Sequence, residues 1–148
     1  MTLPESLVLF RRVPVGLPRR ELRDFAQLLQ RDVAGSRSFT CLITDDRELR
    51  KLNKQFLQKD YATDVLSFPS GSAEGDLGDI AISADRAAAQ ASEFGHTLVQ
   101  EIQILMLHGV LHLIGLDHES DSGEMSRAEK RWRKRLSLPN GLIERVRV

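Results

Sequence analysis

The sequence predicts an α+β fold, in which one mixed sheet of about four strands is covered by helices. Short strand-like segments and amphipathic helical segments follow one another without a regular strand–helix alternation. Residues 98–114 are apolar on nearly every side, which predicts a helix buried at the centre of the fold. The chain has 148 residues, of which 41% are hydrophobic, so we expect a single domain over residues 1–148.

The first half of the chain contains two predicted strands and two predicted helices. The strands cover residues 7–13 and 38–44, and the helices cover residues 19–34 and 47–57. Both helices repeat apolar residues at helical spacing, and in the second one Leu49, Leu52 and Phe56 are expected to face inward. Asp45 is placed to cap this helix, because a carboxylate there can accept a free backbone N–H group.

The second half of the chain is richer in predicted helix. Its predicted elements are strands over residues 65–68 and 78–83, helices over residues 84–94, 97–114 and 125–136, and an extended tail over residues 142–148. Ser83 can cap the first of these helices. In the last helix Trp132 stands at helical spacing from Ala128 and Leu136, so we expect it to contact the core although arginines and lysines surround it.

The charges are unevenly distributed along the chain, although the net charge is zero. Residues 1–59 have a balance of +5, residues 60–126 one of −11 and residues 127–148 one of +6. An acidic centre favours cation binding, and basic flanks can follow a phosphate backbone. The N-terminal apolar run is too short for a signal sequence and Cys41 is the only cysteine, so we expect a cytoplasmic protein.

Three of the four histidines lie within eleven residues, in the pattern H-x-x-x-H-x-x-G-x-x-H from His108 to His118. His108 and His112 share one helix face, and Gly115 can end the helix so that the chain brings His118 back to that face. Three imidazoles suit one zinc ion with an open fourth position, which is the catalytic pattern. A closed structural site would need Asp117 or Glu119 as a fourth ligand. His96 is interpreted as a surface or capping residue and not as a ligand.

This spacing is also that of the metzincin peptidases, with one difference. Those enzymes carry a glutamate directly after the first histidine as the general base, and Gly109 occupies that position here. A glycine inside a helix costs about 1 kcal/mol relative to alanine. The sequence therefore disfavours peptidase chemistry but keeps the metal-activated water.

Three segments of the chain resemble the YbeY endoribonuclease family of ribosomal RNA maturation factors. They are H-G-V-L-H-L-I-G-L-D-H (residues 108–118), L-N with T-D-V-L-S-F-P (residues 52–53 and 63–69) and L-G-D-I-A-I (residues 77–82). The chain departs from the family pattern at Ala62 and Leu116. It also departs at Leu57, where the family usually has an arginine thought to contact RNA. Lys54 or Lys59 could supply a substitute charge.

The resemblance implies an α+β fold and a zinc-dependent endoribonuclease specific for single-stranded RNA. It further implies precursor ribosomal RNA as the substrate, a role in ribosome quality control, and the ribosome or its small subunit as a partner. His108, His112 and His118 would hold one zinc ion, Asp117 could orient an imidazole, and Arg131 in the basic helix could contact phosphate. Two alternatives stay open, a zinc metallopeptidase-like hydrolase and a non-catalytic assembly factor with a structural zinc.

Overall fold

The computed structural model describes residues 5–71, 75–116 and 121–139 and confirms the predicted α+β class. The strands are β1 (Leu7–Phe10), β2 (Ser38–Thr44), β3 (Val65–Pro69) and β4 (Asp76–Ser83). The helices are α1 (Arg19–Asp32), α2 (Asp46–Leu57), α3 (Ala84–Phe94), α4 (Leu98–Leu113) and α5 (Glu124–Arg135). Each of these elements matches a predicted one, although the first strand is shorter than expected. The predicted tail over residues 142–148 lies outside the described residues.

The four strands form one mixed sheet in the order β1-β2-β4-β3. β1, β2 and β4 run parallel, with Phe10 opposite Ile43 and Ile43 opposite Ile82. β3 runs antiparallel to β4, with Val65 opposite Ile82. The parallel pairs follow from the helices that connect them, whereas a short connection between β3 and β4 reverses the chain direction.

Helices cover the two faces of the sheet unequally. Ile80 and Ile82 of β4 belong to the main core with α1, α3, α4 and α5, whereas Ala81 belongs to a smaller cluster with Leu49 of α2. Because alternate residues of a strand point to opposite faces, α2 lies on the face opposite to α4. Eleven of the sixteen residues of α4 are buried, as the apolar sequence of this helix predicts.

The helices begin at the capping residues that the sequence predicts. Asp45 accepts a hydrogen bond from the backbone N–H of Glu48, and Ser83 accepts one from that of Arg86. The backbone N–H of Glu48 and the nearby Arg12 guanidinium lower the pKa of Asp45 below its ordinary value. The caps fix where α2 and α3 leave the sheet, and thereby position the connection to α4.

Phe56 corrects the prediction that it faces inward. Its side chain is 58% exposed and touches the edge of Phe68, with the ring centroids 5.5 Å apart. The reason is that α2 covers only part of its face of the sheet. A cavity of about 360 Å³ remains there, lined in part by Leu42, Leu52 and Phe56.

None of the helices within the described residues is both long and apolar enough to cross a membrane.

Candidate metal centre on helix α4

Helix α4 is defined by strong signals at both of its ends. Thr97 accepts a hydrogen bond from the Gln100 N–H at 3.1 Å, while the Gln100 side chain accepts one from the Thr97 N–H at 3.0 Å. This capping box satisfies two backbone donors at the start of the helix. At the other end Gly115 has a φ of 103°, in the left-handed region, and the Leu116 N–H donates to the Leu111 carbonyl. The predicted turn at Gly115 is therefore confirmed.

The two histidines of α4 point their Nε2 atoms at one another. Nε2 of His108 and Nε2 of His112 are 3.2 Å apart, and the ring planes meet at 74°. His108 is buried, with 5% of its surface exposed, and His112 is half-buried. The pair therefore lies at the boundary between the core and solvent, where an ion could reach it.

This separation fits a zinc ion. Two nitrogens that each bind zinc at about 2.0–2.1 Å with a tetrahedral angle between them are roughly 3.3 Å apart. His118, the third predicted ligand, lies outside the described residues, and so do Asp117 and Glu119. Among the residues that are described, no three histidine, cysteine or acidic side chains come together as a metal-binding group. The structure thus brings together two of the three predicted ligands.

Glu129 contacts this pair, and the sequence interpretation missed it. Its carboxylate oxygen Oε2 lies 2.9 Å from Nδ1 of His108, and the residue is only 1% exposed. The signal was present in α5, where Met125, Ala128 and Glu129 share the spacing of one helix face. All three are buried. A buried acid on the inward face of this mostly basic helix needs a hydrogen-bond partner, and that partner is His108.

The packing of α4 against β4 explains why position 109 holds a glycine. A Cβ atom added there would lie 2.9 Å from Cγ2 and 3.0 Å from Cδ1 of Ile80, which is itself 1% exposed. Helix α4 therefore crosses β4 at a distance that leaves no room for a side chain. A glutamate in this position, as a metzincin has, would not fit the present packing.

The motif residues of β3 and β4 hold α4 and the neighbouring strands in place. The Ser67 hydroxyl donates to the Gly109 carbonyl at 3.3 Å. Asp64 accepts from the Val65 N–H at 2.8 Å and from Gln90 on α3 at 3.1 Å. Gly78 has a φ of 133°, and a Cβ there would lie 2.2 Å from the Phe68 carbonyl oxygen. Ser67 thus contacts α4 directly, while Asp64 and Gly78 hold the neighbouring elements in place.

His96 is not a surface residue, which corrects that part of the prediction, whereas its backbone N–H donates to the Ala91 carbonyl at 3.0 Å and so helps to end α3. Its side chain is only 6% exposed, and Nε2 lies 2.5 Å from Oε1 of Glu101, which is fully buried. In the sequence, a position directly after a helix-ending glycine is typical of a surface turn. In the structure the His96 side chain packs against the first turns of α4 through Glu101. The chain therefore contains two buried histidine–carboxylate pairs in its described part, one at each half of α4.

The predicted substrate-contact residues lie on two different layers. Lys54 and Lys59 are exposed on α2 and on the loop after it, and Leu57, which ends α2, is 45% exposed. Arg131 is exposed on α5, two residues beyond Glu129. Residues two apart on a helix point in nearly opposite directions, so Arg131 faces away from His108. Trp132 is half-buried against the main core, as expected, with the Arg135 guanidinium 5.2 Å from its ring centre.

Part of the N-terminal positive charge is neutralised within the protein. Arg11 and Arg12 pair with Glu48 at 2.9 and 2.7 Å, and Arg12 also pairs with Asp45 at 3.0 Å. On α5, by contrast, five basic side chains are exposed, namely those of Arg127, Lys130, Arg131, Lys134 and Arg135. Of the two basic flanks, α5 therefore offers the more concentrated positive surface.

Comparison with known proteins shows which family this chain belongs to. The family profile described as Endoribonuclease YbeY matches residues 19–137. The Endoribonuclease YbeY of Solibacter usitatus is 62% identical over 147 residues, which span 99% of each chain. That of Koribacter versatilis is 45% identical over 140 residues, or 95% of this chain and 91% of the relative. This chain belongs to the YbeY endoribonuclease family.

A solved structure supports the architecture. The solution structure of a Thermotoga maritima protein superimposes with a TM-score of 0.59 at 26% identity, and the alignment covers 84% of this chain and 85% of the other. The overall fold is thus similar to that of an experimentally determined protein.

Proposed function

We propose that this protein is a zinc-dependent endoribonuclease that cleaves single-stranded RNA. The observation that carries the proposal is the pair of imidazoles on α4, with Nε2 atoms 3.2 Å apart, in a member of the YbeY family. His108 and His112 would hold the ion together with His118. Asp117, adjacent in sequence to that third histidine, could orient an imidazole by a hydrogen bond.

The protein's own residues supply the binding of the ion and the boundary of the site. When bound, zinc supplies Lewis acidity toward a phosphoryl oxygen and lowers the pKa of water toward neutrality. Gly109 is packed against Ile80, so no carboxylate directly after His108 is available as a general base. Proton transfer must therefore come from elsewhere in the chain or from the RNA itself.

RNA binding would use exposed positive side chains on two layers. Arg131 of α5, Lys54 of α2 and Lys59 just after α2 are exposed and can contact phosphate groups. A single strand suits this arrangement because its unstacked backbone can bend from one basic surface toward the metal helix. We extend the proposal to precursor ribosomal RNA as the substrate, to ribosome quality control and to association with the small ribosomal subunit in the cytoplasm. This extension rests on the family resemblance alone.

Two other functions compete with this one. A peptidase-like hydrolase is favoured by the ligand spacing but opposed by the contact between Gly109 and Ile80, which leaves no space for the glutamate base. A ribosome assembly factor with a structural zinc is favoured by Leu57, because leucine cannot contact RNA as the family arginine does.

The test combines metal analysis with two substrates. We expect purified protein to contain one zinc per chain and His112→Ala to contain none. Wild type should cleave a single-stranded RNA and leave denatured casein intact, while His112→Ala should cleave neither. Zinc content unchanged in His112→Ala would refute the proposed site. Casein cleavage that depends on His112 would favour the peptidase, and cleavage of neither substrate by zinc-loaded wild type would favour the assembly factor.

A further inference from the structure

The buried carboxylate of Glu129 has no role in the function described so far. It lies on α5, is 1% exposed and approaches Nδ1 of His108 to 2.9 Å, while the His108 side chain is 7% exposed. The contact joins the basic helix to the metal helix. The inference drawn from it rests on the zinc site proposed above.

The position of Glu129 is unfavourable unless the carboxylate is paired. Its neighbours on the inward face of α5, Met125 and Ala128, are apolar and buried. A carboxylate among such residues loses its hydration, and this loss must be offset by hydrogen bonds. An ionised carboxylate can only accept a hydrogen bond, and the neutral His108 tautomer with its proton on Nδ1 is the one that can donate to it.

We propose that Glu129 is a positioning residue that holds His108 in the form required for metal binding. With its proton on Nδ1, a neutral imidazole has its lone pair on Nε2. That atom faces Nε2 of His112 at 3.2 Å. The carboxylate thus selects the tautomer and fixes the ring plane at the point where the two Nε2 atoms converge.

Glu129 is not itself a ligand of the same ion. The two nitrogens of an imidazole ring point in divergent directions, so a carboxylate bound at Nδ1 lies on the far side of the ring from the point where Nε2 of His108 meets Nε2 of His112. Metal affinity consequently depends on how α5 packs against α4.

The chain provides a matched control in its second buried histidine–carboxylate pair. His96 and Glu101 have side chains 6% and 0% exposed, and their contact measures 2.5 Å. Glu101 lies on the same helix as His108, seven residues earlier, which is about 10 Å along the axis. This pair uses Nε2 of its histidine, the nitrogen opposite to the one used by His108.

The test compares Glu129→Ala and Glu129→Gln with Glu101→Gln. Zinc affinity is measured by competition with a chromophoric chelator, and the thermal midpoint of the zinc-free proteins monitors folding. We expect Glu129→Ala to bind zinc about 10–100-fold more weakly than wild type. Glu129→Gln keeps an oxygen that can accept Nδ1–H, so its loss should be smaller. Glu101→Gln should lower the thermal midpoint comparably but change zinc affinity less than about threefold.

The tautomer provides a readout that a purely structural role would not change. In zinc-free protein labelled with ¹⁵N-histidine, we expect His108 to carry its proton on Nδ1 and His96 on Nε2. Glu129→Ala should remove the Nδ1–H preference of His108 and leave His96 unchanged. An unchanged His108 tautomer in Glu129→Ala, or wild-type zinc affinity in both Glu129 variants, would overturn the inference.

Failure of this inference is distinguishable from failure of the zinc site. If His112→Ala still binds zinc, the proposed function is wrong. If His112→Ala loses zinc while the Glu129 variants bind it normally, the site stands and only the role of Glu129 is refuted.

Discussion

Gly109→Ala is expected to destabilise the protein, although alanine is the better helix former. The added Cβ atom would lie 2.9, 3.0 and 3.2 Å from Cγ2, Cδ1 and Cγ1 of Ile80. Cγ2 is a branch atom of a fully packed side chain, so Ile80 cannot move aside by a simple rotation of its far end. The helix or the strand must shift instead.

The size of the effect follows from two opposing terms. Replacing a helical glycine by alanine gains about 1 kcal/mol in helix propensity. Adding a methyl group to a packed core costs about 1–3 kcal/mol. We expect a net loss of roughly 0–2 kcal/mol, which for a chain of this size lowers the thermal midpoint by up to about 8 °C.

The assay is thermal unfolding of chelator-treated protein, so that zinc binding does not contribute. Ile80→Val removes Cδ1 and serves as the second arm of a double-mutant cycle. Gly109→Ala should cost at least about 0.5 kcal/mol less in the Ile80→Val background, because one of the three close contacts is gone. A rise in the thermal midpoint of Gly109→Ala, or an equal effect in both backgrounds, would refute the close-packing explanation.

The close packing of Gly109 against Ile80 also affects the peptidase alternative. Gly109→Glu would restore the metzincin base in sequence, but its side chain would meet the same Ile80 contact with more atoms. We expect this variant to be strongly destabilised and to gain no casein cleavage. The absence of the base is therefore a property of the packing as well as of the local sequence.

Four further predictions concern stability and RNA binding. Asp45→Ala should lower the unfolding free energy by about 1 kcal/mol through loss of the helix cap. Because the pKa of Asp45 is lowered in the folded protein, the stability difference between the two proteins should have its full size above the ordinary value of 3.8 and disappear as the pH falls below it. Acid titration of the stability of both proteins would show this. Leu57→Arg places a cation at the C-terminal end of α2, where it is tolerated, and should raise single-turnover RNA cleavage about tenfold; an unchanged rate would mean that this position does not contact the substrate. Three exposed basic residues of α5 can be replaced together by glutamine, namely Lys130, Arg131 and Lys134. The slope of log affinity for RNA against log salt concentration should then become shallower by about 0.7 per lost phosphate contact. An unchanged slope would show that α5 is only a solvated surface. Removing zinc with a chelator should leave cooperative thermal unfolding intact, since α4 and the sheet supply the core, and loss of that transition would identify the metal as structural.

The sequence by itself determined the elements and the common helix face of the two candidate metal ligands His108 and His112. Alternation, helical spacing and capping residues are local signals, and they located the strands and helices to within a few residues. The spacing of His108 and His112 places both imidazoles on one helix face in any α-helix, because the helix geometry is fixed. The turn at Gly115 follows equally from local conformation.

Only the tertiary structure decided which residues meet across elements. Glu129 is distant from His108 in sequence, and its partner could not be known before α5 was packed against α4. The reason for Gly109 lies in Ile80 on another element, and the burial of His96 depends on Glu101 at the start of the following helix. Phe56 fits an amphipathic helix, yet the sheet beneath it is only partly covered. Local periodicity gives the direction in which a side chain points, whereas its environment depends on long-range packing.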